Sequence, residues 1–172
     1  NTGSGSLPPG ATFATAIDAG TLSTPFTDTK NNSPGSCYQN LMGQPSNEIY
    51  YKFNLTSNME VSISHCGSII DTYVYLLNNS GTVIASNDDN GPLCAGYQAS
   101  IKMALVPGTY YVVSEGYGGN YGNITTSLSA VKQYPDYTFT EPQESGTLQV
   151  NTSYPVGSIN GSISVGPTGA AN

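Results

Sequence analysis

One acidic stretch of the sequence has the residue types that bind metal ions. Asn87, Asp88 and Asp89 follow one predicted strand, and Asp71 precedes the strand before it. If the two strands form a hairpin through the turn at 78–81, Asp71 and the Asn-Asp-Asp run meet at one end of it. Calcium takes six to eight oxygen ligands, and these side chains would supply roughly half of them. Alternatively, Asp71 and Asn87 accept hydrogen bonds from backbone N–H groups and so end the strands.

Catalysis is not expected from the remaining reactive side chains. The single histidine, His65, has neither a second histidine nor a close cysteine pair with which to hold zinc. It precedes Cys66 in a predicted strand, where adjacent side chains point to opposite faces and cannot form a dyad. A Gly-x-Ser-x-Gly nucleophile motif does not occur. Nothing in the spacing of the glutamates favours a glycosidase pair among Glu48, Glu60, Glu115, Glu141 and Glu144.

Binding is better supported than catalysis. Tyr111, Tyr117 and Tyr121 lie among glycines in GTYYVVSEGYGGNYGN, where their rings could stack on sugars. Further tyrosines are predicted on outward strand faces, at Tyr50, Tyr73 and Tyr75. The alternative is that these rings cover the surface of the fold. Many outward tyrosines with few charges indicate a surface suited to contact with another protein or with glycan or matrix.

The charge balance excludes two classes of partner. The chain of 172 residues has 4 Lys+Arg against 11 Asp+Glu and a net charge of -7. Nucleic acids and anionic membranes both require a basic face, so neither is expected as a partner. No apolar stretch approaches the length of a membrane span, so membrane insertion is not expected either. Because the start is not signal-like, we expect Asn1 to result from processing of an exported precursor, which predicts a secreted, extracellular or cell-surface protein.

Asparagine is frequent in sequons of the form Asn-x-Ser/Thr. If the source glycosylates secreted proteins, these are candidate N-glycosylation sites. They occur at Asn31, Asn54, Asn78, Asn123, Asn151 and Asn160.

The elements that must position these residues are strands. Apolar residues alternate with polar ones, and Gly or Pro interrupts the chain about every ten residues, which is typical of an antiparallel sandwich. No segment has a helical stripe. The fold class predicted is therefore all-β, a jelly-roll-like antiparallel β-sandwich. Its strands are expected in EIYYKFNL, MEVSISHC, TYVYLL, TVIAS, ASIKMALV, TYYVVSEGY and NITTSLSAV.

The two ends differ from this pattern. Residues 1–13 are a leader rich in Gly, Ser and Pro, and residues 132–172 are an extension with strand-like pieces. In the piece at 157–166, Ile159, Ile163 and Val165 alternate with Ser and Gly. Such an uncharged strand either completes its own sheet or adds to the sheet edge of a neighbouring molecule.

The run from YYKFNL through VSISHCGS, IDTYVYLLNNSGTVIASNDDN and ASIKMALVPGTYYVVSEGYGGNYGNITTSL resembles the bacterial pre-peptidase C-terminal (PPC) domain. The family has a WYxF strand, DTxLxLyd before a hairpin, asNDD after it and aGtYyvxVeGy near the end. The resemblance covers about residues 14–131. Tyr50 stands where the family commonly has Trp, and the chain carries no protease.

This resemblance implies a non-catalytic β-sandwich with roles in secretion, substrate adhesion or assembly. Many members have one Cys before GSxxDT and another after NDD, which implies a disulfide between Cys66 and Cys94. Cys37 is then left either as a free thiol or as a covalent link between subunits.

Three functions follow as hypotheses. The first is an extracellular structural or adhesive subunit that self-associates, as a homo-oligomer or a fibre, by strand exchange through the extension. The second is a carbohydrate- or matrix-binding module. The third is an accessory domain of a secreted peptidase. The cofactor expected, if any, is Ca²⁺ at Asp71, Asn87, Asp88 and Asp89.

Overall fold

The computed structural model of the chain describes residues 7–36 and 38–133. The chain divides into two units, Asn1–Pro135 and Asp136–Asn172. All that follows concerns the first unit, because the second lies outside the described residues. The predicted extension beyond residue 133, the first half of the leader and Cys37 also lie outside them.

The described residues form nine strands and two single-turn 3₁₀ helices, the latter at Phe13–Thr15 and Tyr117–Gly119. The strands are β1 (Ile17–Thr21), β2 (Phe26–Asn31), β3 (Ile49–Leu55), β4 (Met59–Ser64), β5 (Thr72–Leu77), β6 (Val83–Asn87), β7 (Ser100–Leu105), β8 (Gly108–Gly116) and β9 (Asn123–Lys132). No helix in 7–36 or 38–133 is long and apolar enough to cross a membrane.

Two sheets pack face to face, which confirms the all-β sandwich. The five-stranded sheet has the order β1-β3-β8-β5-β6 and the four-stranded sheet the order β2-β9-β4-β7. One pairing differs from the antiparallel prediction, because β1 runs parallel to β3. The intervening β2 belongs to the other sheet, so no hairpin turn imposes an antiparallel direction on this pair.

The core lies between the sheets and follows the period of two. On β3, the predicted inward set Ile49, Tyr51, Phe53 and Leu55 is buried. Val61 and Ile63 of β4, Val74 and Leu76 of β5, Val112 of β8 and Ile124 and Leu128 of β9 complete the same cluster. The alternation of apolar and polar residues therefore predicted correctly which face of each central strand is buried.

The outer face of the five-stranded sheet is covered rather than exposed. Tyr50, Leu77 and Val113 form a second buried cluster there, against which Phe13 and Met42 pack. Tyr50 retains 4% exposure, so the prediction that its ring points to solvent is wrong. The covering residues come from the leader and from 38–48, which we call the cover loop. Within the predicted leader, the Gly10 carbonyl accepts a hydrogen bond from the Tyr50 N–H at 2.9 Å.

The outer face of the four-stranded sheet carries a ladder of neutral side chains between β2 and β9. The hydroxyls of Thr27 and Ser127 are 3.1 Å apart, and those of Thr29 and Thr125 are 2.9 Å apart. These hydrogen bonds between hydroxyl side chains connect the edge strand β2 to its neighbour β9, with no contribution from apolar side chains at these positions.

Candidate functional site

The β5–β6 hairpin brings three of the predicted acidic ligands together. Asp71 precedes β5, while Asp88 and Asp89 follow β6, and the two strands pair antiparallel. One carboxylate oxygen from each of the three aspartates lies within 4.8 Å of the other two. We call Asp71, Asp88 and Asp89 the acidic cluster.

The turn that closes the hairpin is tight because the Asn78 side chain accepts hydrogen bonds from the N–H groups of Ser80 and Thr82, both at 3.0 Å.

The acidic cluster is electrostatically strained. Asp71 and Asp88 each have one buried carboxylate oxygen without a hydrogen-bond partner in the described part of the chain. Burial raises the pKa of Asp71, and the charge of Asp89 raises it further. Burial likewise raises the pKa of Asp88, with added repulsion from Asp89 and Asp71. A bound cation would relieve this repulsion, since carboxylate oxygens are ligands for hard divalent ions.

The fourth predicted ligand, Asn87, has a structural role. Its Oδ1 accepts a hydrogen bond from the Ser100 N–H at 2.9 Å, and its Nδ2 donates to the Asp89 carbonyl at 3.3 Å. The Asn87 side chain thus joins the end of β6 to the start of β7. The alternative stated above, that Asn87 accepts a hydrogen bond from a backbone N–H group, agrees with this contact. The donor, however, lies on β7 and not in a local turn. Asp71 has no such side-chain bond among the described residues.

A disulfide closes the segment that carries the acidic cluster. Cys66 follows β4, Cys94 lies between β6 and β7, and their sulfurs are bonded. His65, next to Cys66, is fully buried and its Nε2 lies 2.8 Å from the Ser114 Oγ. Burial lowers the pKa of His65 to about 3, so its imidazole is neutral at ordinary pH. The neighbours in sequence therefore have unrelated roles, as strand geometry indicates.

The tyrosines proposed for ligand stacking do not form one row. One face of the Tyr111 ring is stacked on Phe13 with centroids 3.9 Å apart. Tyr117 is 41% exposed and Tyr121 is 38% exposed. Tyr117 also lies parallel to Tyr73, with centroids 6.4 Å apart, and Tyr73 contacts Tyr75. The aromatic surface is therefore built from Tyr73 and Tyr117, whereas the Tyr121 hydroxyl donates a hydrogen bond to the Pro45 carbonyl at 3.2 Å.

The sequons occupy different environments. Asn31 and Asn123 are exposed partners on β2 and β9, and the Asn31 Nδ2 donates to the Asn123 Oδ1 at 2.8 Å. Asn54 is partly buried and accepts a hydrogen bond from the Thr109 hydroxyl. Asn78 forms the hairpin turn described above. The last two sequons, Asn151 and Asn160, lie outside the described residues.

Two buried carboxyl groups were not singled out by the sequence. Glu48, the last residue of the cover loop, and Glu115 on β8 have no solvent exposure. Glu115 shares the outer side of β8 with Val113, where alternation predicts exposure. The sequence indicates this burial only through the position of Glu115 in a run of Tyr, Val and Ser. That indication is weak, because the burial of Glu115 depends on a loop that is distant in the sequence.

One family model matches part of the chain. The family model described as the bacterial pre-peptidase C-terminal domain matches residues 47–114, which run from the start of β3 into β8. Over this segment, which is 68 of the 172 residues, the chain is similar to a PPC domain. The match includes the acidic cluster and Cys94, but not the leader or the extension. Family members are non-catalytic accessory domains that occur in secreted proteins, often beside peptidases.

Among solved structures, the chain is similar to the crystal structure of the PPC domain of a collagenase from Bacillus anthracis. The two share 21% sequence identity over 67% of this chain and 94% of that chain, with a TM-score of 0.45. No curated protein matches the sequence.

Proposed function

We propose that this protein is a non-catalytic extracellular subunit that self-associates, with a strand from the extension at 132–172 added to the sheet of a neighbouring copy. The observation that carries this proposal is the regularity of the four-stranded sheet's edges. β2 and β7 each pair over six residues without a register shift. The edges of the other sheet, β1 and β6, both contain a shift.

This difference matters because bulges protect an edge against further pairing. A regular edge presents evenly spaced N–H and C=O groups to an added strand. The alternating piece at 157–166 has a neutral composition suited to that position, with small polar residues between Ile159, Ile163 and Val165. Its lack of charge removes the usual barrier to strand addition.

Deletion of residues 145–172 tests the proposal. We expect light scattering to give an oligomer for the intact chain and a monomer for the truncated one. In the intact chain, Ile163→Asp should also dissociate the oligomer, while Ser162→Asp, which the alternation of the proposed strand puts on its other face, should do so much less. An unchanged oligomeric state after the deletion would show that strand donation is wrong.

We also propose that the acidic cluster binds Ca²⁺. The specific support is that three carboxylates converge while Asp71 and Asp88 each keep a buried oxygen without a partner in the described chain. The main chain, and water, would supply the remaining ligands. Asn87 is excluded from the ligand set we propose, because its side-chain oxygen already accepts a hydrogen bond.

Thermal unfolding with Ca²⁺ and with EDTA tests the cation site. Binding to the folded state alone raises the melting temperature in proportion to the logarithm of ligand concentration. We expect such a rise for the unmodified protein and none for Asp88→Asn. Asp18→Asn is the matched control, because Asp18 pairs with Lys52 on β3. A melting temperature unmoved by EDTA in protein prepared with Ca²⁺ would contradict the site.

Glycan or matrix binding is the second candidate function. It is favoured by the partly exposed Tyr117, which lies parallel to Tyr73. Loss of glycan-array binding in Tyr117→Ala, with retention in Tyr97→Ala, would support it. Tyr97 is a suitable control because it is 65% exposed. A role as accessory domain to a secreted peptidase is compatible with either candidate.

A further inference from the structure

Two acidic side chains, one at the end of the cover loop and one on β8, are buried without a positive partner among residues 7–36 and 38–133. Glu48 and Glu115 are both 0% exposed. Neither oxygen of Glu115, nor the Oε2 of Glu48, has a hydrogen-bond partner in the described chain. Lys30, Lys52 and Lys102 pair with other carboxylates, and Lys132 ends β9 in the other sheet. Two buried negative charges in this position would be strongly unfavourable.

Glu48 also makes hydrogen bonds to other residues of the cover loop. Its Oε1 accepts hydrogen bonds from the N–H groups of Leu41 at 2.6 Å and Met42 at 2.5 Å. Its own N–H donates to the Gln39 carbonyl at 2.9 Å. Burial raises the pKa of Glu48, but these hydrogen bonds oppose that effect, because a carboxylate is the better acceptor. The group left to carry a proton is then Glu115.

Further contacts attach the cover loop to the end of β8, next to Glu115. The Ser46 hydroxyl donates to the Gly116 carbonyl at 2.8 Å and accepts from the Gly116 N–H at 2.9 Å. The Gln44 side chain accepts from the Gly118 N–H at 3.2 Å. A change in the charge of Glu115 therefore acts directly at the place where the loop is held.

We propose that Glu48 and Glu115 hold one proton between them in the folded protein, and that this proton latches the cover loop onto the outer face of the five-stranded sheet. The proton resides on Glu115, where the nearby charge of Glu48 favours it. Its loss leaves two negative charges under the loop and favours opening of the loop. Opening would expose the apolar cluster around Tyr50 and Val113, so the latch connects pH to the exposure of an apolar face.

The titratable neighbours are consistent with this assignment. Burial raises the pKa of Glu115 to about 8, and the charge of Glu48 adds to the effect. The Tyr75 hydroxyl and the Gln44 N–H favour the ionised form, but neither makes a hydrogen bond of ordinary geometry with Glu115. Tyr50, buried beside both glutamates, has its pKa raised to about 12 and stays neutral. Tyr73 is the register partner of Glu115 on β5.

The test compares unfolding at pH 6.5 and pH 9, in a Cys37→Ser background so that residue 37 contributes nothing to the pH dependence. We expect the melting temperature to fall by roughly 5–10 °C between these values. Glu115→Gln, which mimics the protonated form, should abolish most of the fall. Glu60→Gln is the matched control, because Glu60 pairs with Lys102 in the other sheet and should leave the fall unchanged. A fall that persists in Glu115→Gln would overturn the proposal.

Two measurements on protein with native glutamates keep the proposal falsifiable if Glu115→Gln does not fold. Carbon-13 NMR should find one glutamate carboxyl that titrates above pH 7, and titration of all glutamates below pH 6 would overturn the latch. Hydrogen-exchange protection factors of the Leu41 and Met42 amides should decrease at pH 9. If added Ca²⁺ restores the melting temperature at pH 9 in Asp88→Asn, the buried pair binds a cation rather than a proton, and the proposal is wrong.

Discussion

At the scale of single residues, one glycine on β8 is fixed by steric contact. A Cβ atom at Gly116 would lie 1.9 Å from the backbone oxygen of Asn120, a distance that no side chain can accommodate. The close approach lets the turn at Tyr117–Gly119 fold back, with the Asn120 N–H donating to the Tyr117 carbonyl at 3.0 Å. Gly116 therefore positions Tyr117 and, through Ser46, the cover loop.

We expect Gly116→Ala to lower the free energy of unfolding by about 3 kcal/mol, because backbone must move to admit the methyl group. Gly67→Ala is the control, since a Cβ there would meet only the Thr125 side chain, at 3.2 Å. That substitution should cost less than about 1 kcal/mol. Urea denaturation of both variants measures the difference. Equal losses would contradict the steric argument.

Residue roles were only partly accessible from the sequence. The acidic cluster was predictable because a hairpin fixes which residues meet, and the turn at 78–81 marks that hairpin. The role of Asn87 could not be separated from that of Asp88, because its hydrogen-bond partner, Ser100, belongs to a later strand. The burial of Glu48 and Glu115 could not be predicted, since it arises from a loop with no periodic pattern.

At the scale of elements, the Cys66–Cys94 disulfide joins the connection that follows β4 to the connection that precedes β7, and so closes the segment that contains the β5–β6 hairpin. The two cysteines are separated by 28 positions, and the closed segment includes both strands of the hairpin and the acidic cluster. Closing a loop of this length restricts the unfolded chain more than the folded one.

Replacing both cysteines by serine should lower the free energy of unfolding by about 3–4 kcal/mol. Guanidinium denaturation of the double variant, beside the unmodified protein with and without dithiothreitol, measures this loss. Reduction of the unmodified protein should reproduce the value of the double variant. A reduced protein as stable as the oxidised one would contradict the prediction.

Strand positions followed from the sequence, but their pairing followed only in part. The local β5–β6 hairpin is indicated by a short turn between alternating runs, whereas the equally short turn between β7 and β8 connects the two sheets. The parallel pair of β1 and β3 has no local signal, because β2 in the other sheet separates them. The packing of residues 7–13 was also missed, since a segment rich in Gly and Pro shows no alternation even when it covers a sheet.

At the scale of the whole molecule, two buried groups of the described residues couple stability to pH in opposite directions, the acid Glu115 and the base His65. The pKa of Glu115 is raised from 4.5 to about 8, so its contribution to stability is lost as pH rises through this range. The pKa of His65 is lowered from 6.5 to about 3, so its contribution is lost as pH falls from 6.5. Between pH 4.5 and 6.5 the two slopes oppose each other.

We therefore expect these two groups to give a plateau of stability between about pH 4.5 and 6.5, with a decline on each side of about 1.4 kcal/mol per pH unit. Urea denaturation from pH 4 to 9 measures this profile. In His65→Gln the acid-side decline should be reduced, and stability should keep rising as pH falls from 8 towards 4.5. Stability that increases from pH 6.5 to 8 in the unmodified protein would contradict the assignment of Glu115.

The architecture as a whole was the part most accessible from the sequence. A period of two with regular Gly and Pro interruptions leaves few alternatives to a sandwich, because such strands must bury one face each. The segments that cover the outer faces of the sheets could not be predicted from the alternation of apolar and polar residues.

The disulfide has one more consequence, for a chain pulled from its two ends. The covalent bond between Cys66 and Cys94 carries the applied force past the segment between them. Tension along the chain therefore never reaches the β5–β6 hairpin. The 28 positions that separate the cysteines correspond to about 90–100 Å of contour length that stays unavailable for stretching. The hairpin with its acidic cluster would thus keep its closed ends even in a molecule whose other strands had been drawn out.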